Sequence, residues 1–291
     1  MVPVETHIRT QDGQQLFVRA YVPDELCRSG RTLVIIHGTS EHGGRYDHVA
    51  RVAVEHGWEV IVPDMRGHGR SDGVPVHVDR FDEYLSDLDT LWQYFELNPD
   101  RTALLGHSFG GLICSRFAES RPSKLASLVL MSPLLGLNVK IEFYTLALGK
   151  LMSIIAPCTR FRSKVPVEYT TRNAEVLKRR ETDKLLHRSV TARWFFQMKQ
   201  AIADAWRDAE KLNVPILALQ AGDDRIVDPT AVEPWLRTAG SHDTRFRMIP
   251  EHYHELLNEP TWRETLDEVL DWIDERIPEI EGPARTTRHS R

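Results

Sequence analysis

The 291-residue sequence has few cysteines and no long apolar run, and each shortage excludes a class of protein. Its three cysteines, Cys27, Cys114 and Cys158, are odd in number and widely spaced, so they form neither a disulfide framework nor a metal-binding pattern. No run of about 18 apolar residues is present, so we expect no membrane-spanning helix. The N-terminus lacks an apolar stretch behind a basic start, and we therefore expect no signal peptide and a cytoplasmic location.

The chain also lacks a strong excess of charge of either sign. Its formal net charge is −5 at pH 7, and 41% of its residues are hydrophobic. This balance gives no electrostatic reason to expect a nucleic acid as a partner. The composition is ordinary for a globular protein, and the chain is long enough to bury a large core.

Short β-branched runs alternate with helical patterns along most of the chain. The predicted strands are Val4–Thr10, Gln14–Val22, Leu33–Ile36, Glu59–Val62, Arg101–Leu105, Leu125–Met131, Pro215–Gln220 and Arg245–Ile249. Apolar residues spaced three and four apart predict helices over Asp47–Glu55, Phe81–Phe95, Leu112–Ser120 and Trp262–Arg276. Near-continuous apolar runs indicate strands buried on both faces, so we predict an α/β fold with a mostly parallel central sheet flanked by helices.

One segment interrupts this alternation. Residues 134–209 contain no clear strand and have the pattern of several helices between two predicted strands. We therefore expect a core formed by residues 1–133 and 210–277, with residues 134–209 inserted as a helical cap over one end of the sheet. The polar residues 278–291 are expected to form a disordered tail.

Residues 106–110, Gly-His-Ser-Phe-Gly, match the G-x-S-x-G pattern of a nucleophile elbow. An apolar strand precedes the pattern and a helical pattern follows it, which is the context that the motif requires. The serine must lie on a sharp strand-to-helix turn, and small residues two positions away on either side keep that turn free of clashes. We therefore predict that Ser108 is the nucleophile of a serine hydrolase.

A serine hydroxyl needs a histidine to take its proton and an acid to orient that histidine. In the fold that uses this elbow, the acid and then the histidine follow the serine along the chain. Three acids compete after the strand Pro215–Gln220, and their positions favour Asp224. Asp223 is compatible with a turn residue. Asp228 precedes Pro229, and its interpretation as a helix N-cap followed by proline at N1 of the next helix is favoured.

Two histidines compete after the last predicted strand. His254 lies deeper in that loop, next to a helical pattern, and is the better candidate for the base, whereas His252 is interpreted as a turn residue. A tetrahedral intermediate also needs two N–H donors aimed at its oxygen. We predict that the backbone N–H groups of Phe109 and Thr39 supply them, because Thr39 occupies the loop after an early strand.

Together these motifs resemble the monoacylglycerol lipase and lysophospholipase-like branch of the α/β-hydrolases, which is related to the serine aminopeptidase group. The resemblance rests on residues 37–46 (HGTSEHGGRY), 64–71 (DMRGHGRS), 106–111 (GHSFGG), 222–225 (GDDR) and 253–259 (YHELLNE). It implies an α/β-hydrolase fold with Ser108, Asp224 and His254 as the triad and Thr39 as the second oxyanion donor. It also implies that neither a metal nor an organic cofactor is required.

The predicted cap leaves the substrate open. Residues 139–156 are rich in large apolar side chains, which fits either a helix that lines an acyl tunnel and touches lipid or a helix packed on the rest of the fold. Lys178, Arg179 and Arg180 can meet an anionic headgroup, but a solvated helix face is the simpler interpretation. In the second apolar cluster, Trp194 to Met198, core packing is favoured.

The leading hypothesis is hydrolysis of a fatty acyl ester, such as a monoacylglycerol or a lysophospholipid, with peripheral membrane contact through the cap. One alternative is a small-ester carboxylesterase or an aminopeptidase-type hydrolase of the same fold. Another is a non-catalytic binding protein on this scaffold, which is disfavoured because all three triad residue types are present in order. No feature of the sequence indicates an oligomeric state.

Overall fold

The computed structural model describes residues 2–24, 29–138, 142–162 and 165–279. Its strands are β1 (Val4–Arg9), β2 (Gln15–Tyr21), β3 (Arg31–Ile36), β4 (Trp58–Pro63), β5 (Thr102–His107), β6 (Ser127–Met131), β7 (Arg160–Arg162), β8 (Ser189–Thr191), β9 (Ile216–Ala221) and β10 (Thr244–Ile249). Its α-helices are α1 (Asp47–Glu55), α2 (Asp82–Tyr94), α3 (Phe109–Ser120), α4 (Phe143–Ile155), α5 (Ala174–Thr182), α6 (Ala192–Asp208), α7 (Val232–Leu236) and α8 (Trp262–Asp274).

Eight of these strands form one sheet in the order β1-β2-β4-β3-β5-β6-β9-β10. The pairs β1–β2 and β2–β4 are antiparallel, and the pairs from β4 through β10 are parallel. The predicted mostly parallel sheet is therefore confirmed, and each predicted strand and helix is present within a few residues of its expected limits.

Helices cover both faces of the sheet and bury its apolar side chains. On one face α2, α3, α6 and α7 pack over residues such as Val34, Leu104 and Leu130. On the other face α1 and α8 cover residues such as Leu33 and Leu105. Alternate residues of β3 and β5 thus enter opposite cores, which explains why these strands are apolar without interruption.

The segment 134–209, here called the inserted segment, contains α4, β7, α5, β8 and α6. The expectation that it contains no strand was wrong, because β7 and β8 pair antiparallel, with Phe161 opposite Val190. Strands of three residues are too short for an alternating apolar pattern to reveal them. Trp194 and Met198 of α6 are buried, which confirms that they pack in the core.

The predicted limits of the core and of the inserted segment remain predictions. From residue 280 onward, the predicted tail lies outside the described residues. The first two residues of the predicted tail, Pro278 and Glu279, are described and bonded to the core: the carbonyl of Pro278 accepts a hydrogen bond from Arg101, and the carboxylate of Glu279 pairs with Arg31. Within the described ranges, no helix combines the length and the hydrophobicity needed to cross a bilayer.

The topology gathers four loops at one edge of the sheet. The carboxyl ends of parallel strands lie on the same side, and the loops that follow β3, β5, β9 and β10 carry Thr39, Ser108, Asp224 and His254 respectively. This edge is where open α/β sheets bind their ligands.

Candidate active site

Ser108 occupies the turn between β5 and α3 in a strained backbone conformation. Its φ is 54° and its ψ is −118°, which lies outside the helical and extended regions. Its N–H donates to the Met131 carbonyl at 3.0 Å, and its own carbonyl accepts the N–H of Leu134 at 3.0 Å. Strain of this kind costs about 1–3 kcal/mol and persists where the surroundings hold it in place.

Two glycines make this sharp turn sterically possible. A Cβ on Gly110 would lie 2.2 Å from the carbonyl oxygen of Ile36 and 2.5 Å from that of His37. A Cβ on Gly106 would lie 2.6 Å from Cys114 Sγ. Because α3 approaches β3 and β5 this closely, the glycines of the elbow are required by packing as the motif predicts.

The predicted acid and base meet in a buried pair. Asp224 Oδ2 lies 2.7 Å from His254 Nδ1, and both side chains are almost fully buried. The other carboxylate oxygen, Oδ1, accepts the backbone N–H groups of Ile226 at 2.9 Å and Val227 at 3.0 Å. Gln220 Nε2 donates to Oδ2 at 3.2 Å. These donors fix the carboxylate, which in turn orients the imidazole.

The contact between Asp224 and His254 also shifts the pKa of each group. Burial raises the pKa of Asp224. The charge and hydrogen bond of His254, together with the N–H groups of Ile226 and Val227, lower this pKa by more than burial raises it, so the net shift is downward. Burial lowers the pKa of His254, and the charge and hydrogen bond of Asp224 outweigh that effect, so the net shift is upward. An imidazolium at His254 is therefore stabilised, as a proton-accepting histidine needs.

The loops after β3 and β10 approach Ser108. The ring of His254 lies 4.8 Å from the ring of His107, the residue before the serine. His107 Nε2 is 3.3 Å from the carbonyl oxygen of His254. A Cβ on Gly38 would lie 3.2 Å from the Cβ of Ser108. The structure thus brings the four predicted loops together at the serine.

The predicted oxyanion donors are two backbone N–H groups, those of Thr39 and Phe109. Among the described residues, the N–H groups of Thr39 and Phe109 donate to no protein acceptor, whereas the N–H of Gly38 donates to Glu41 Oε1 at 2.6 Å. Phe109 is the first residue of α3, where N–H groups have no acceptor within the helix. Of Gly38 and Thr39, it is therefore Thr39 whose N–H has no acceptor among the described residues.

The competing acids have other roles. Asp223 is partly exposed and pairs with Arg225 at 2.9 Å. Asp228 was predicted as a helix N-cap, and this was wrong: its Oδ1 accepts the N–H of Thr230 at 2.9 Å, while α7 begins only at Val232. An Asp-Pro pair favours a turn as well as a helix start, and local pattern does not separate the two.

The competing histidine, His252, is a turn residue as predicted. Its Nδ1 lies 2.9 Å from the Pro250 carbonyl oxygen, and its Nε2 lies 2.8 Å from Thr261 Oγ1. Both ring nitrogens are therefore occupied by the surrounding loop. Within the described part of the chain, no group of three or more His, Cys, Asp or Glu side chains is arranged to hold a metal ion.

Sequence reasoning assigned no role to a buried carboxylate beside the serine. Glu41 Oε1 accepts the N–H of Gly38, the hydroxyl of Tyr46 at 3.0 Å, and lies 3.2 Å from His107 Nδ1. Its Oε2 pairs with Arg45. One signal in the sequence could have indicated this carboxylate. Glu41 and Arg45 are charged residues in the glycine-rich loop after a buried strand, where a solvated helix face is not expected.

The architecture and the serine turn define the class. A mostly parallel sheet, a strained serine between a central strand and its helix, and an Asp–His pair after the last two strands occur together in the α/β-hydrolases. The protein is accordingly an α/β-hydrolase.

Comparison with known proteins gives the family. A family model described as serine aminopeptidase, S33, matches residues 18–261, and the chain belongs to this family. Phospholipase YtpA of Bacillus subtilis (strain 168) is 32% identical over 247 residues, which cover 84% of this chain and 95% of the relative. Monoacylglycerol lipase of Mycolicibacterium smegmatis is 29% identical over 273 residues, covering 90% and 93%.

A solved structure agrees with these relatives. The crystal structure of Paleococcus ferrophilus monoacylglycerol lipase matches with a TM-score of 0.82 and 26% identity, covering 90% of this chain and 99% of that one. The resemblance predicted from the motifs is therefore confirmed, and the protein is an ester hydrolase of the lipase and lysophospholipase type.

Proposed function

We propose that this enzyme hydrolyses carboxylic esters of fatty acyl chains, a monoacylglycerol or a lysophospholipid, through Ser108, His254 and Asp224. The observation that carries the proposal is the buried 2.7 Å contact between Asp224 and His254 in the loops that converge on the strained Ser108. The relatives named as phospholipase and monoacylglycerol lipase support the substrate class.

The first half of the reaction acylates the serine. Ser108 Oγ attacks the ester carbonyl carbon while its proton passes to His254 Nε2, and Asp224 stabilises the imidazolium that forms. The oxyanion accepts hydrogen bonds from the N–H groups of Phe109 and Thr39. The intermediate collapses, the C–O bond to the alcohol breaks, and His254 returns the proton to the departing alcohol.

The second half frees the enzyme. Water attacks the acyl carbon and gives a proton to His254, and the same two N–H groups stabilise the second oxyanion. The bond to Ser108 Oγ then breaks and the serine recovers its proton from His254. The products are one fatty acid and one alcohol, with one water consumed.

The inserted segment is proposed to act as a cap that touches a lipid surface. The α4 residues Tyr144, Leu148, Leu151 and Ile155 recur at intervals of four, three and four, so they share one face of the helix. The large apolar side chains that α4 exposes are Phe143, Tyr144, Leu148, Leu151, Ile154 and Ile155. An exposed apolar helix face of this kind marks an interaction surface.

Cationic residues close to α4 along the chain favour an anionic lipid surface as the occupant of its apolar face. Arg160 and Arg162 of β7 are exposed and flank the exposed Phe161. Lys150 is the charged residue within α4, whose helical sequence contains no acid. Apolar burial combined with attraction to anionic headgroups is how interfacial helices bind membranes.

The catalytic part of the proposal is tested with Ser108→Ala. We expect the variant to lose ester hydrolysis and to lose covalent labelling by a fluorophosphonate, as detected by mass spectrometry of the labelled peptide. Ser120→Ala, which changes an exposed serine at the end of α3, is the matched control and should keep both. Retained hydrolysis by Ser108→Ala would refute the mechanism.

The substrate class is tested with a set of p-nitrophenyl esters from acetyl to dodecanoyl, together with monoacylglycerol, lysophosphatidylcholine and a prolyl amide. We expect kcat/KM to rise with chain length and the amide to be left intact. A preference for the acetyl ester would favour a small-ester carboxylesterase instead. Cleavage of the amide would favour an aminopeptidase-type reaction.

The membrane part is tested by co-sedimentation with phosphatidylcholine vesicles, with and without phosphatidylglycerol. Leu148→Glu combined with Leu151→Glu should abolish binding while leaving hydrolysis of a dissolved short ester unchanged. Val4→Glu, at an exposed position of the edge strand β1, is the control and should bind as the wild type does. Binding that survives the double substitution would contradict a lipid contact through α4.

A further inference from the structure

Arg180 does not lie on the solvated helix face that is expected for the basic run 178–180. Its side chain instead contacts the active-site region. Lys178 and Arg179 are exposed, as expected, but Arg180 retains only 17% of its side-chain exposure. Its Nη1 donates to Glu255 Oε1 at 2.7 Å. Glu255 directly follows His254, so a residue of α5 in the inserted segment is bonded to the neighbour of the proposed base.

Glu255 is a buried carboxylate held by two guanidinium groups. Arg45 from the loop after β3 donates to Oε1 at 3.0 Å and to Oε2 at 2.5 Å, and Asn258 Nδ2 donates to Oε2 at 3.1 Å. Burial raises the pKa of Glu255. The positive charges of Arg45 and then Arg180 lower this pKa by more than burial raises it, so the net shift is downward. Glu255 is therefore ionised at neutral pH.

The contacts continue to the oxyanion loop. Arg45 also pairs with Glu41, and Glu41 accepts the N–H of Gly38. The chain of ion pairs is thus Glu41, Arg45, Glu255 and Arg180, which alternate in charge and sum to zero. Without Arg180 the buried group carries one net negative charge, and its only cation is shared between two carboxylates.

The backbone strengthens the same connection. The N–H of Glu255 donates to the carbonyl of Thr170 at 2.8 Å, and Thr170 lies in the inserted segment just before α5. The inserted segment therefore holds the residue after His254 by its main chain and by its side chain.

We propose that Arg180 is a positioning residue, through which the inserted segment neutralises Glu255 and sets the placement and charge environment of the base His254. The inference rests on the proposed role of His254, and it assigns to α5 a part in catalysis beyond covering the site. It also makes the reactivity of the core depend on how the inserted segment is seated.

The direction of the effect follows from the groups that face His254. They are Asp224 after β9, Glu41 after β3, His107 at the end of β5 and its own neighbour Glu255. Burial lowers the pKa of His254, whereas the charges of Asp224, Glu255 and Glu41 raise it. Since Arg180 offsets Glu255, its removal should raise the pKa of His254 further. The acid limb of kcat/KM, where His254 loses its proton, should then move to higher pH.

The experiment compares kcat/KM from pH 5 to 9 on a p-nitrophenyl ester for the wild type, Arg180→Gln, Arg180→Lys and Arg179→Gln. We expect Arg180→Gln to move the acid limb upward by about half a pH unit or more. At pH 7 its kcat should fall severalfold with little change in KM. Arg180→Lys keeps the charge and should restore the limb, and Arg179→Gln, an exposed neighbour on the same helix, should leave it unchanged.

Glu255→Gln provides the opposite sign and covers the case in which Arg180→Gln fails to fold. It removes the negative charge beside His254, so its acid limb should move to lower pH. A wild-type limb in Arg180→Gln, an equal shift in Arg179→Gln, or an unshifted or upward-shifted limb in Glu255→Gln would overturn the inference. If Ser108→Ala kept its hydrolysis, the proposed function would fail instead, which separates the two outcomes.

Discussion

Replacement of Asp224 by asparagine tests how the proposed acid controls the proposed base. In the wild type, Asp224 Oδ1 accepts two backbone N–H groups, from Ile226 and Val227, while Oδ2 faces His254 Nδ1. The amide of an asparagine has only one oxygen, and the two backbone donors require that oxygen at the Oδ1 position. The amide NH₂ group must then face His254 Nδ1.

This reversal places the histidine proton on the wrong nitrogen. Because an NH₂ group now donates to Nδ1, the neutral His254 must carry its proton on Nε2, the nitrogen proposed to accept the proton of Ser108. We expect kcat/KM of Asp224→Asn to fall about 10⁴-fold at pH 7, or about 5 kcal/mol of transition-state stabilisation. Asparagine has nearly the same size and shape as aspartate, so the thermal unfolding midpoint should change little.

The pH profile gives a second readout. In the wild type the net shift of the His254 pKa is upward from its ordinary value of 6.5. Since His254 must be neutral to accept a proton, wild-type kcat/KM should rise with pH through an acid limb above pH 6.5. In Asp224→Asn the carboxylate that raises the pKa is absent while burial still lowers it, so the residual activity should have its acid limb at lower pH.

The control for this experiment is Asp223→Asn, the same chemical change one residue earlier. Asp223 is partly exposed and pairs with Arg225 instead of His254, so we expect kcat/KM within about twofold of the wild type, because solvent-accessible ion pairs contribute little. The assay is hydrolysis of a p-nitrophenyl ester by purified variants of verified fold. More than a tenth of wild-type activity in Asp224→Asn, or a large loss in Asp223→Asn, would refute the reasoning.

Two further predictions concern close backbone approaches. Gly110→Ala should destabilise the fold by about 3 kcal/mol, because its Cβ would meet the carbonyl oxygens of Ile36 and His37. Thermal unfolding measures this loss. The control is Gly149→Ala in α4, which should not destabilise the fold because its Cβ would make an ordinary 3.4 Å contact with Phe196. Gly38→Ala should lower kcat about 100-fold, since its Cβ would lie 2.9 Å from Glu41 Oε1 and displace the loop of the proposed oxyanion donor; steady-state kinetics with unchanged kcat would contradict it.

Much of the fold could be predicted because its signals are local. Strands β3, β5 and β9 are apolar on both faces, and α1 and α8 carry apolar stripes, so their periods are visible in short windows of sequence. The strands β7 and β8 were missed because three residues carry no detectable period. The end of the chain beyond residue 279 stays a prediction.

Some residues of the candidate site could likewise be predicted from local sequence, and others could not. Ser108 is predicted from a motif whose glycines are required by close packing, and Asp224 and His254 are then predicted from chain order. Asp228 was misassigned because a turn and a helix start share the Asp-Pro signal. Arg180 was misassigned because its neighbours Lys178 and Arg179 are exposed, and a run of like charges does not reveal which member turns inward.

The sequence by itself determined the class of sheet, the serine turn and the order of its candidate partners. Backbone conformation and the periodic pattern of buried residues depend mainly on residues that are close together in the sequence. Only the tertiary structure decided which charged residues meet. Arg45 and Glu255 are 210 positions apart and Arg180 and Glu255 are 75 apart, and the pairing of such distant charges depends on loops brought together by the sheet. It was likewise the tertiary structure that left the apolar face of α4 exposed, since exposure depends on whether another part of the fold covers it.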